Sequence, residues 1–131
     1  MSIVAGVDDL FFLAKILDTA RRVGVAVEGV STAGIQQRLV LAGADAVILD
    51  LNSPPAVELI RELKRDPATR EVLVVGFVSH VATETVAGAK NAGCDVVLAR
   101  SAFSKQLPEL LCKLGRKIID CLGSKETGGH L

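Results

Sequence analysis

Residues 3–30 read "IVAGVDDLFFLAKILDTARRVGVAVEGV", and the change of hydrophobic period inside that stretch decides the architecture. Ile3 to Val7 is a short apolar run rich in Val and Ile, the pattern of a strand covered on both faces. The acidic pair Asp8-Asp9 interrupts it. From there the period lengthens: Leu13, Ile16, Leu17 and Ala20 share one helical face, while Lys15, Asp18, Arg21 and Arg22 lie on the other. Gly24 follows, at a place where glycine ends a helix in a left-handed turn, and Val25 to Val30 is strand-like again. A strand, a helix and a second strand in this order form one right-handed parallel unit.

The same punctuation continues along the chain. Ala46 to Leu49, Val72 to Val78 and Val96 to Ala99 are three further strands, and Gly43 and Gly93 stand shortly before two of them. Val57, Ile60 and Leu63 mark a helix between strands three and four. Thr32 to Ala42 and Val81 to Ala92 are weaker helices, the latter because Thr83, Thr85, Gly88 and Asn91 have modest propensity. The last helix carries Phe103, Leu107, Leu110, Leu111, Leu114, Ile118 and Leu122 on one face and Lys113, Arg116, Lys117 and Asp120 on the other, which is expected to place Pro108 in or near its first turn.

Five strands, each followed by a helix, predict an α/β fold: a (βα)5 doubly wound, five-stranded parallel sheet of flavodoxin-like type with strand order 2-1-3-4-5, since a closed barrel needs eight such units. Residues 1–122 are expected to form the domain and 123–131, "GSKETGGHL", a flexible C-terminal tail.

Composition narrows the functions. Among 131 residues, 15 basic and 15 acidic side chains cancel, so no overall field attracts nucleic acid or an anionic membrane. Four Phe and no Trp or Tyr leave few platforms for stacking bases. No apolar stretch approaches the roughly 20 residues of a membrane span and no basic leader opens the chain, so a cytoplasmic protein is expected. Cys94, Cys112 and Cys121 form no CxxC pair and are expected as buried thiols. Neither GxGxxG nor GxxxxGK[ST] occurs, which leaves dinucleotide and nucleoside triphosphate sites without support.

In the order 2-1-3-4-5, strands one and three are neighbours and the site lies beyond their carboxyl ends. Strand one ends at Asp8-Asp9 and strand three at Asp50, in "AVILDLNSP". Three carboxylates in one pocket call for a cation, and a hard divalent ion such as Mg2+ suits them. Strand four ends at Ser79, a hydroxyl, and strand five at Arg100, a permanent cation. Taken alone, Asp8-Asp9 also reads as a cap on the first helix, and Ser79 as a turn former.

On these residues the chain resembles the receiver domains of bacterial two-component response regulators, over roughly residues 3 to 122. The resemblance rests on Asp8-Asp9 after strand one, "DLNSP" from Asp50 to Pro54, Ser79 after strand four and Arg100 after strand five. It implies that Asp50 is the phosphoacceptor, served by a sensor histidine kinase or a phosphotransfer protein. It also implies Mg2+ held by Asp8, Asp9, Asp50 and the main-chain carbonyl of Asn52, with Ser79 and Arg100 at the phosphoryl group. A carboxylate nucleophile forms an acyl phosphate, and metal and cation offset charge on the transferred group.

The chain departs from the family pattern at three positions. Arg100 replaces the usual Lys in "LARSAF", a planar fork in place of a point charge, able to clamp Asp50 in a permanent ion pair. Val97 stands where the family often has an aromatic residue that rotates on activation. His80 stands after Ser79, where a small residue usually leaves the acceptor open.

The leading expectation is a stand-alone receiver in phosphorelay signalling, a monomer or weak homodimer without enzymatic activity of its own, acting through protein contacts on helix four, strand five and helix five. The alternative is a phosphorylation-independent pseudo-receiver that docks partners. A flavodoxin-like enzyme or small-ligand binder ranks third, because no nucleophile–base pair or glycine-rich phosphate loop is present.

Overall fold

The computed structural model describes residues 2–79 and 83–120, with side chains through residue 114. The expected tail, Cys121, Leu122, His80 and His130 lie outside the described residues.

The chain alternates strand and helix: β1 (Ile3–Gly6), α1 (Leu10–Val23), β2 (Val27–Val30), a 3-10 turn (Thr32–Gly34) leading into α2 (Ile35–Ala42), β3 (Ala46–Asp50), α3 (Ala56–Arg65), β4 (Leu73–Val78), α4 (Thr83–Ala92), β5 (Val96–Ala99) and α5 (Arg100–Asp120). The five strands form one parallel sheet in the order β2-β1-β3-β4-β5. Fold class and strand order are those expected from the hydrophobic periods.

Alternation along each strand divides the core in two. Ile3, Ala5, Ala46, Ile48, Val75, Phe77 and Leu98 face one layer, where Phe12 and Ile16 of α1 and Phe103, Leu107 and Leu111 of α5 cover them. Val4, Val47, Leu49, Val74, Val78 and Val97 face the other, covered by Ile35 and Leu39 of α2, Ile60 and Leu63 of α3 and Ala89 of α4. The continuous apolar runs of the central strands are thus two period-2 faces superimposed, each buried under helices. Strand β2 differs, with Glu28 and Gly29 exposed at the sheet edge, and a charged residue on an edge discourages pairing with another chain.

Gly24 ends α1 with φ 77° and ψ 28°, the left-handed conformation that a residue without Cβ adopts at no steric cost. Gly6 is required for a different reason: a Cβ there would lie 2.9 Å from two Ile35 side-chain atoms and 3.0 Å from Leu49. Its absence lets α2 approach the end of β1.

Pro108 corrects an expectation. Helix α5 begins at Arg100, so Pro108 lies inside it, beyond the first turn. The buried series Phe103, Leu107, Leu111 and Leu114 rewards one continuous helix, and Pro108 is on the exposed side, where water can satisfy the carbonyl whose intrahelical donor is lost. Among the described residues no helix is long and apolar enough to cross a membrane.

Candidate functional site

Strand register brings the expected residues to one edge of the sheet. Gly6 of β1 stands opposite Leu49 of β3, so Asp50 and the Asp8-Asp9 pair leave adjacent strands about 4.8 Å apart. Asp50 in turn stands opposite Phe77 of β4, and Val78 opposite Ala99 of β5. Ser79 and Arg100 are the residues that directly follow β4 and β5. A parallel sheet makes this gathering automatic, because every strand delivers its C-terminal neighbour to the same side.

Asp9 has two duties. As the cap of α1 its Oδ1 accepts the backbone N–H of Phe11 at 3.0 Å and of Phe12 at 3.2 Å, satisfying amides that have no intrahelical partner. Its Oδ2 accepts from Nη2 of Arg100 at 3.2 Å. The Phe12 N–H foremost, and then Arg100, hold the Asp9 carboxyl below the usual carboxylate range, against a smaller opposing effect of desolvation. The structure thus shows the capping reading of this residue, with its second oxygen turned to Arg100 at the end of β5.

Asp8 turns the other way. Its Oδ1 accepts the backbone N–H of Thr32 at 3.2 Å, while the Thr32 hydroxyl donates to the Gly6 carbonyl at 3.3 Å. Thr32 is buried, and it ties the loop after β2 to the end of β1. Nothing in the sequence singled out Thr32, since its partners lie 24 and 26 positions away.

Arg100 joins three elements. Besides Asp9, its Nη1 donates to the Ser79 hydroxyl at 3.4 Å, and its guanidinium carbon lies 4.1 Å from the centroid of the Phe12 ring and 6.0 Å from that of Phe77. Phe12, Phe77 and Phe103 pack together with centroids 4.9, 5.8 and 4.8 Å apart. Three of the four phenylalanines thus form a buried platform under a cation, an arrangement that favours the planar Arg over Lys. Among the described residues the ion-pair partner of Arg100 is Asp9 and not Asp50, which corrects the expected clamp. The Asp9 cap puts a carboxylate within reach while the ring of Phe12 fixes the plane of the guanidinium.

Asp50 is held more loosely. It is half-buried, and its Oδ1 accepts the backbone N–H of Asn52 at 2.9 Å. Asn52 continues the chain of contacts: its side-chain oxygen accepts the Ser79 backbone N–H at 2.6 Å. Hydrogen bonds therefore run from Asp50 through Asn52 and Ser79 to Arg100 and Asp9, crossing the ends of β3, β4, β5 and β1. The resemblance gave Asn52 a main-chain role; in the structure its side chain also links β3 to β4.

The donor set can be tested against a divalent ion. Mg2+ takes near-octahedral oxygen ligands at about 2.1 Å, through one or two carboxylates with water or phosphate oxygens completing the set. Here both Asp9 oxygens already accept from nitrogen donors, one oxygen each of Asp8 and Asp50 accepts a backbone N–H, and among the described residues no three His, Cys, Asp or Glu side chains are grouped to hold a metal. Asp8, Asp9, Asp50 and the Asn52 carbonyl are the groups that would hold such an ion, and as folded Asp9 Oδ2 is shared with Arg100.

No protein-family profile matches the chain, and no curated protein matches it. Solved structures do. The chain is similar to a putative response regulator from Chloroflexus aurantiacus J-10-fl, with 17% identity, 86% of this chain and 95% of that one covered, and a TM-score of 0.76. It is also similar to a response regulator receiver domain from Rhodospirillum rubrum, with 22% identity, coverage of 92% and 96%, and a TM-score of 0.70. A third neighbour is the phosphorylated cyanobacterial phytochrome response regulator RcpA, with 19% identity, coverage of 93% and 96%, and a TM-score of 0.71. The likeness at these identities is one of architecture, and by topology, register and neighbours alike the chain has the receiver fold of response regulators.

Proposed function

We propose that the chain is a receiver-type signalling module that works by protein contact, with its carboxyl edge held in one arrangement by an internal ion pair and without need of phosphorylation. The observation that carries this reading is Arg100, which bridges Asp9 and Ser79 while stacked on Phe12. In the resemblance the strand-four hydroxyl and the strand-five cation are the groups that respond to a phosphoryl group on the acceptor. Here they bind each other. Val97, where a rotating aromatic is usual in the family, is fully buried in the core, and a β-branched side chain has little rotamer freedom to relay a signal. The face formed by α4, β5 and α5 is the docking surface this reading assigns.

A second reading, phosphorelay signalling through Asp50, is favoured by Asp50 itself. The carboxylate is half-buried, and among the described residues no ion pair holds it; Asn52 supplies a hydrogen bond from its backbone N–H. One structural neighbour is a phosphorylated regulator. On this reading an Asp50 oxygen bonds to the phosphorus of a phosphohistidine as the P–N bond breaks, the imidazole leaving with the electron pair. Ser79 then turns its hydroxyl to the phosphoryl oxygens. The partner is a sensor histidine kinase or phosphotransfer protein, and Asp8, Asp9, Asp50 and the Asn52 carbonyl would hold Mg2+, which would offset charge on the transferred group once Arg100 has left Asp9.

Intact mass measurement after incubation with Mg2+ and a small phosphodonor separates the two. The docking reading expects no adduct under conditions that label an ordinary receiver in parallel. A single phosphate adduct that disappears in Asp50→Asn overturns it in favour of phosphorelay.

A further inference from the structure

We propose that the layer formed by α1 and α5 docks the chain on an anionic lipid surface, with Leu10 and Phe11 entering the interface and the basic residues of the two helices facing the lipid headgroups. The inference goes beyond the protein-contact reading and does not depend on whether Asp50 is modified.

The chain as a whole is neutral, but its charge is unevenly placed. Helices α1 and α5 cover the same face of the sheet, and together they hold eight of the 15 basic residues against three of the 15 acidic ones. That layer therefore carries a surplus of five positive charges, and the rest of the molecule an equal negative surplus. Lys15, Arg21, Arg22, Lys105 and Lys113 are all exposed on it. Asp18 pairs with both Arg21, at 3.5 Å, and Arg22, at 3.0 Å, so one carboxylate serves two guanidinium groups. Basic residues grouped in this way on one helical layer are drawn to a plane of anionic headgroups, over a reach set by the Debye length.

Two large apolar side chains stand at one end of this layer. Leu10 is 74% and Phe11 91% exposed, side by side in the first turn of α1. Phe11, Lys15, Asp18 and Arg22 follow at spacings of four, three and four, which puts the apolar knob and the charges behind it on one stripe of the helix. The carboxylates nearest the knob are engaged elsewhere: Asp9 caps α1 and pairs with Arg100 at 3.2 Å, while Asp8 accepts from Thr32 in the loop after β2. Apolar surface left in water is recovered by entry into the headgroup region. A partner protein would need a pocket shaped to the knob, whereas a bilayer interface accepts it without one and meets basic charge spread along the roughly 20 Å of α1. An apolar knob and a basic face are two weak signals that together give reversible attachment, and neither requires a membrane-spanning helix.

The full chain is centrifuged with sucrose-loaded vesicles, either of phosphatidylcholine alone or of phosphatidylcholine with about one-third phosphatidylserine. The wild-type protein is expected to sediment with the mixed vesicles at low salt, to stay in solution with the neutral ones, and to dissociate as salt is raised. Phe11→Ser, on the outside of the fold, is expected to weaken binding about tenfold. Lys15→Gln and Lys105→Gln are expected to weaken it about fivefold each, and Lys90→Gln, exposed on α4 in the opposite layer, to leave it unchanged. Circular dichroism of each variant confirms that it is folded. Absence of binding to the mixed vesicles overturns the proposal, and so does equal sedimentation with both vesicle types. Losses no greater in Phe11→Ser and Lys15→Gln than in Lys90→Gln overturn it as well, since the α1–α5 layer would then not be the face that binds. Poly-L-glutamate added at the same total charge as the anionic lipid is expected to leave the protein on the vesicles; displacement would assign the layer to an acidic protein instead. No phosphodonor is present, so these outcomes are read independently of the mass experiment on Asp50.

Discussion

The aromatic platform under Arg100 makes Phe103→Ala the most informative single change in the core. Phe103 is fully buried on α5, with its ring 4.8 Å from that of Phe77 and 5.8 Å from that of Phe12. Truncation removes the transfer free energy of a benzyl group and leaves a cavity that the sheet on one side and α1 on the other are poorly placed to close. Phe→Ala at such a site costs about 3–5 kcal/mol, within which the ring–ring geometry contributes about 0.5–1.5 kcal/mol per pair. For a domain of this size the corresponding fall in Tm is roughly 4 °C per kcal/mol, or about 12–20 °C. Phe103→Leu fills most of the space and is expected to cost about 1–2 kcal/mol. The assay is urea unfolding followed by far-ultraviolet circular dichroism, since the chain has no Trp or Tyr to report by fluorescence. A loss below about 1 kcal/mol for Phe103→Ala at unchanged denaturant slope would refute the packing described for the α1–α5 layer.

Two further outcomes test the edge of the sheet. The Asp9 carboxyl titrates below its ordinary value of 3.8, with the Phe12 N–H as the larger cause and Arg100 next. A carboxyl whose folded pKa is depressed adds stability above the unfolded value and loses it as pH falls through the folded one, so Asp9→Asn is expected to flatten the acid-side fall in stability below pH 3.8; a carboxyl NMR titration placing Asp9 at or above 3.8 would contradict the contacts. Gly6→Ala is expected to cost about 1–3 kcal/mol by overpacking, because the new methyl would meet Ile35, which is fully buried. Ile35→Val in the same chain should recover part of that loss in urea unfolding, and strict additivity of the two costs would speak against direct contact.

The architecture was legible because it is written in local periods. Ile3 to Val7, then Leu13, Ile16, Leu17 and Ala20, then Val25 to Val30 each declare their conformation within a few residues, and the parallel connection allows one hand. Gly24, Gly43 and Gly93, expected at helix ends, all have positive φ. Pro108 was misplaced because a local rule about helix starts yielded to a buried face extending from Phe103 to Leu114. At the site, the sequence named Asp8, Asp9, Asp50, Ser79 and Arg100 as residues at strand ends, the resemblance added Asn52, and strand register brings those ends to one edge.

Which of these groups hold one another is a different kind of question. Asp9 and Arg100 are 91 positions apart, Asn52 and Ser79 are 27 apart, and Asp8 and Thr32 are 24 apart. Such pairings depend on side-chain directions at the ends of separate strands, which no local pattern encodes. That Arg100 reaches Asp9 and not Asp50 follows from the Phe12 ring beneath it and the α1 cap beside it, both products of packing. The sequence by itself thus determined the sheet, its order and the residues at its carboxyl edge, because short-range sterics and burial act within a few residues. Only the tertiary structure decided which cation neutralises which carboxylate, because directional contacts between distant segments exist only once the chain has packed.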